Sequence, residues 1–96
     1  MRSNIRIKCA DKYEAQKLCS MILVEGDTYI VSILNIIHNE MIIVLRDHSA
    51  HSIMLYSHME AEKLAAHMQY VFDGVHYISD ADIIDDDTVL IRFGAR

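Results

Sequence analysis

The chain has no proline and no tryptophan, only three glycines and two cysteines, and aromatic residues make up 7% of its 96 positions. With no proline and no low-complexity stretch, nothing marks a linker, and no internal repeat is evident, so residues 1–96 are read as a single compact domain. Two cysteines are too few for a disulfide framework. Cys9 at the end of a predicted strand and Cys19 on the apolar face of a predicted helix suit buried thiols in a reducing compartment. The shortage of aromatics removes the paired rings on which sheet platforms stack RNA bases, so direct nucleic-acid binding is not expected. The first eight residues, Met-Arg-Ser-Asn-Ile-Arg-Ile-Lys, alternate polar with apolar and lack the apolar stretch of a signal peptide. We therefore expect a cytoplasmic protein.

Cations are also scarce over most of the chain, and what replaces them is acid. Residues 1–24 carry Arg2, Arg6, Lys8, Lys12 and Lys17 against Asp11 and Glu14, residues 25–91 carry twelve acids against Arg46 and Lys63 alone, and Arg92 with Arg96 bring the net charge to −5. Five carboxylates, Asp80, Asp82, Asp85, Asp86 and Asp87, fall within eight positions before a short apolar strand. A field of this shape repels nucleic acid and attracts a basic partner, such as the nucleic-acid groove of another protein. The competing reading is a solvated acidic face that keeps the domain soluble.

Local patterns predict an α+β fold. Ile5, Ile7 and Cys9 alternate with polar residues as in a half-solvated strand. Asp11 and Glu14 have capping-box spacing, and Ala15, Leu18, Cys19 and Ile22 continue an apolar stripe, which predicts a helix over 12–24 stopped by Gly26. Residues 29–37 and 41–45 are rich in Ile and Val and are predicted as a hairpin around His38, Asn39 and Glu40, with a helix over 30–37 as the alternative because Ile30, Ile33, Leu34 and Ile37 also fit a 3.6 period. Polar residues at the middle of this apolar run argue against a membrane span. A strand over 52–56 precedes a second capping box, Ser57 to Glu60, and a helix with Ala61, Leu64, Ala65, Met68 and Phe72 on one face, ended by Asp73 and Gly74. A strand over 75–78, an Asp-rich loop and a strand over 88–93 close the chain. The order fits an antiparallel sheet of four to six strands with two helices on one face, a variant of the ferredoxin-like βαββαβ plan. If first and last strands are neighbours, Arg6, Lys8 and Arg92 share its open face.

Catalytic and metal signatures fail on spacing. Six histidines are present, but there is no Cys-x-x-Cys or His-Glu-x-x-His, and His48 with His51 beside Asp47 falls short of a zinc set. A calcium loop counted from Asp80 meets Asp85 where glycine is needed and Ile91 where a bidentate glutamate is needed. Asp80-Ala81-Asp82 imitates the Asp-x-Asp of metal-dependent transferases over three residues only. Asp47, His48 and Ser49 are sequence neighbours without a nucleophile elbow. We expect no enzyme activity, no metal and no cofactor.

The expected function is to bind and block another macromolecule, a protein with a basic nucleic-acid-handling surface, through Asp80, Asp82, Asp85, Asp86, Asp87, Glu60 and Glu62. Small acidic α+β chains without catalytic motifs recur among phage and mobile-element inhibitors, anti-CRISPR proteins included. That parallel rests on size, charge and missing chemistry, and no motif ties the chain to a family. The alternative is a self-associating regulatory or small-ligand-binding module. With 52% hydrophobic residues and a mean hydropathy of +0.13, it would form a homodimer through exposed strands or apolar sheet surface.

Overall fold

The alternation around Ile5 and Ile7 becomes strand β1 (Asn4–Lys8) in a computed structural model that describes residues 4–24 and 27–95. Helix α1 (Lys12–Ile22) follows, started by Asp11, whose Oδ1 accepts the Glu14 amide at 2.9 Å. It ends two residues earlier than its periodicity suggests, because Leu23 and Val24 enter a short strand β2 (Leu23–Val24) paired with β3 (Asp27–Thr28). The expected stop at Gly26 lies outside the described residues. Strands β4 (Ile30–Ile37), β5 (Glu40–Leu45) and β6 (Ala50–Met54) form a meander. Helix α2 (His58–Phe72) is capped by Ser57 and leads into the hairpin of β7 (His76–Ile84) and β8 (Thr88–Ala95). No described helix is long and apolar enough to cross a membrane.

The α+β class holds, with two helices and antiparallel sheets. The strands are divided into sheets of three (β7-β8-β1), three (β6-β5-β4) and two (β2-β3), instead of forming one continuous sheet. The two larger sheets meet where β1 and β6 end, at an antiparallel bridge between Cys9 and Leu55. Ala10 donates its amide to the Met54 carbonyl at 3.0 Å, and Tyr56 donates to that of Lys8 at 2.9 Å. One core cluster takes the inward residues of both sheets and both helices, among them Ile7, Leu18, Ile22, Ile43, Ile53, Leu64, Met68 and Ile91, all fully buried. Each such aliphatic side chain contributes roughly 1.5–3 kcal/mol through removal from water.

The seam exposes a repeat that the sequence conceals. Contrary to the expectation of no internal repeat, β1-α1-β4-β5 and β6-α2-β7-β8 are two copies of one βαββ unit. Glu-Ala-x-Lys-Leu at residues 14–18 recurs at 60–64. Ile7, Cys9, Ala15 and Leu18 in the first copy and Ile53, Leu55, Ala61 and Leu64 in the second are all buried. The registers coincide: Ile7 opposes Val89 as Ile53 opposes Met41, and Lys8 opposes Thr88 as Met54 opposes Glu40. Even the irregularity between Ile30 and Ser32 has its twin between Ile78 and Asp80. Each unit lends its first strand to the hairpin of the other, so α1 packs on β7 and β8, and α2 on β4 and β5 as well as on β7 of its own unit. A pseudo-twofold axis therefore passes through the Cys9–Leu55 bridge. Contiguous identity is confined to residues 14–18 and 60–64; elsewhere the two copies share apolar character and isolated isoleucines, such as Ile7 with Ile53 and Ile43 with Ile91, which period counting alone does not distinguish from chance.

Candidate functional site

The seven acidic residues singled out by the sequence separate into three groups. Asp80 and Asp82 do not lie in a loop as expected; they stand in β7, which runs on to Ile84. Alternation puts both carboxylates on the face of the sheet away from the core, where β8 supplies Arg92. Its Nη1 donates to Asp80 Oδ1 at 2.7 Å and to Asp82 Oδ2 at 2.8 Å. Hydrogen bonding to Asp82 and then Asp80 raises the Arg92 pKa above its ordinary value. This cross-strand pairing offsets the poor strand propensity of aspartate.

The second group collects at Lys8. Glu60 accepts the Lys8 backbone amide at 3.0 Å and holds Lys63 Nζ at 3.1 Å, while Lys8 Nζ lies 3.9 Å from Asp87 and 4.3 Å from the Tyr56 ring centroid. Glu60 is thus a strand-end cap. Its copy in the first unit, Glu14, accepts the Met54 amide at 3.0 Å and pairs with Lys17 at 3.3 Å. Both boxes keep the forward bond, Ser57 Oγ accepting the Glu60 amide at 3.4 Å. Both glutamates then turn to the strand of the other unit. Glu62 meets His58 Nε2 at 2.8 Å, and His58 Nδ1 meets the His38 carbonyl. A carbonyl and a carboxylate both only accept, so the doubly protonated imidazolium serves them together. The His58 pKa is accordingly raised, first by the His38 carbonyl and then by Glu62.

The third group is the turn. Asp85 and Asp86 take left-handed backbone, with φ of 51° and 64°. The turn is fixed by Asp87 N donating to the Asp85 carbonyl and Cys9 N donating to that of Asp87, each at 2.7 Å. Both side chains are exposed, and among the described residues no cation pairs with either. The corresponding turn of the first unit is one residue shorter, with His38 and Asn39 between Ile37 and Glu40, and there Leu55 N donates to the Asn39 carbonyl at 2.7 Å. Asp11, Glu14, Glu60 and Asp87 surround the buried Cys9 thiol, whose pKa is pushed up to about 12 by desolvation and then by Glu14 and Asp87.

Pseudosymmetry also shows how the open face differs between the units. Across β7, β8 and β1 the rows read Asp80, Arg92, Asn4; Asp82, Leu90, Arg6; and Ile84, Thr88, Lys8. Their counterparts across β4, β5 and β6 are Ser32, Val44, Ala50; Leu34, Ile42, Ser52; and Ile37, Glu40, Met54. Arg6, Lys8 and Arg92 do share this face, as neighbouring first and last strands require. Charge is concentrated on one half and apolar surface on the other. The sequence signal for Arg92 was its alternation with Ile91 and Phe93; nothing local marked Lys8 as a partner of Glu60.

Elsewhere, Ser49 Oγ donates to Asp47 Oδ1 at 2.5 Å and contacts His51 Nε2 at 2.9 Å. The order is carboxylate, hydroxyl, imidazole, so the serine proton is directed at the carboxylate and the ring lacks an orienting acid. No group of three or more potential metal ligands is clustered among the described residues. A cavity of about 490 Å³ lies beside Ser20, Tyr29, Leu45, Arg46 and Asp47. Compared with known protein families, curated proteins and solved structures, the chain matches none.

Proposed function

We propose that the protein is a non-enzymatic binder that covers a basic surface of another macromolecule, the nucleic-acid groove of a protein, with the acidic turn as its leading element. One observation carries this: the hairpin turn of the second unit is one residue longer than that of the first and presents Asp85 and Asp86 on left-handed backbone, with no cation paired to either among the described residues. Asp87, Glu60 and Glu62 extend the acidic end, and Asp80 and Asp82, which share Arg92, are its border. Desolvating a carboxylate that has no internal partner favours a basic counterpart and gives fast, salt-sensitive association. We also read the topology as a ferredoxin-like variant, in which β1, α1, β5, β6, α2 and β8 keep the βαββαβ order and β4 and β7 are added edge strands. Both helices then cover the core face.

The test is capture. Immobilised protein is exposed to nuclease-treated bacterial lysate at low salt and eluted with rising salt, alongside a variant carrying Asp85→Asn and Asp86→Asn. A stoichiometric basic protein released by salt and lost with the variant is the expected result. Equal recovery by both forms rules the acidic turn out.

A further inference from the structure

We propose that the outer edge of β4, with the groove between it and α2, is a homodimer interface whose occupant is the same strip of a second copy. This goes beyond the inhibitor proposal and involves none of its residues.

β4 and β7 occupy equivalent edge positions, yet they are finished differently. β7 carries Asp80 and Asp82, has Arg92 alongside, and packs against β2 and β3. β4 packs on β5 and α2, and among the described residues no strand pairs with its outer side. Its sequence, Ile-Val-Ser-Ile-Leu-Asn-Ile-Ile, contains no charged residue and no proline, the usual guards of an exposed edge. Val31, Leu34 and Ile37 are 45%, 49% and 61% exposed. Beside them opens a groove of about 500 Å³, lined by Val31, Ile33 and Ile36 of β4 and by Ala65, Gln69 and Phe72 of α2.

Two chains of charge −5 repel each other unless they meet through neutral surface, and this strip has no ionisable side chain. A second copy is neutral over the same strip, so self-contact buries no unpaired charge. Eight residues of strand span roughly 26 Å, and a sheet plus a helix layer is about 20 Å deep, which gives about 1,000 Å² buried in total, the lower bound for a specific interface. A weak, concentration-dependent dimer is therefore expected. The irregularities on either side of residues 32–34 confine any backbone ladder to that central segment, so side chains carry the contact. In an antiparallel arrangement centred near Ile33, Val31 of each copy lies over the groove of the other.

Sedimentation velocity from low micromolar to near-millimolar protein tests this, with circular dichroism verifying the fold of each variant. We expect dimers to accumulate with concentration, Leu34→Lys to remain monomeric throughout, and Asp82→Asn, at the equivalent position of the other unit, to dimerise as the wild type does. Should Leu34→Lys fail to fold, Val31→Lys at the exposed bulge takes its place. A wild-type monomer at every concentration, or a dimer that survives a folded Lys variant at either position, overturns the proposal. Neither outcome alters capture by the acidic turn, so the two ideas fail separately.

Discussion

Cys9 and Leu55 occupy one position in two copies of a unit, and only Cys9 can ionise. Its thiol pKa rises from 9.0 to about 12 in the folded state, because burial and four surrounding acids oppose the thiolate. Between these values the unfolded chain has lost the proton and the folded chain retains it. Stability present below pH 9 therefore declines as pH rises, by up to about 1.4 kcal/mol per pH unit. Urea denaturation from pH 8 to 11 should show this decline, and Cys9→Ala should flatten it relative to the wild type. Glu14 and Glu60 give a second residue-scale expectation. Each satisfies a strand-end amide of the other unit, so Glu14→Ala and Glu60→Ala should each cost about 1–3 kcal/mol, and by similar amounts. A cost for one and not the other would show that the seam is not symmetric in energy.

At the scale of elements, the β7–β8 turn separates binding from folding. Left-handed backbone suits glycine best, and aspartate tolerates it at some cost. Replacing Asp85 and Asp86 together by glycine should leave the protein as stable as the wild type or more stable by about 1 kcal/mol, in urea denaturation, while salt-eluted capture is lost. A fall in stability of similar size would mean that the carboxylates serve the hairpin itself. The helices were legible because caps and periodicity agree: Asp11 and Ser57 both accept the amides their spacing suggests. The β4–β5 hairpin was legible from its β-branched runs. β7 was only half legible. Aspartate is a poor strand former, and what keeps Asp80 and Asp82 in a strand is Arg92, which lies on another strand and cannot be assigned by local pattern. For the same reason the candidate site was read as one cluster of seven acids, whereas contacts distant in sequence assign Glu60 to Lys8 and the two strand aspartates to Arg92, and a pair one helical turn apart assigns Glu62 to His58.

At the scale of the whole molecule, the duplication sets the relation between chain order and fold. Each hairpin is completed by the first strand of the other unit, and each helix packs on the hairpin of the other unit, so the units depend on their exchange. The units are joined between β5 and β6 by Arg46, Asp47, His48 and Ser49. The pseudo-twofold axis places the end of β8 against the start of β1 in the same relation, and Asn4 indeed opposes Arg92 in the ladder. A short polar linker from Ala95 to Asn4, with new ends opened between Asp47 and His48, would exchange the roles of the two units and leave every strand pairing in place. Exposed loop ends of this kind tolerate such cuts. The permutant should therefore unfold cooperatively with an unchanged urea m-value, which reports the surface exposed. Its stability should stay within about 2 kcal/mol of the parent, since what changes is the closure of two short loops and the local bonds of Asp47 with Ser49. A permutant that is molten, or whose m-value falls by a third or more, would mean that the order of the units, and not their exchange, organises the fold.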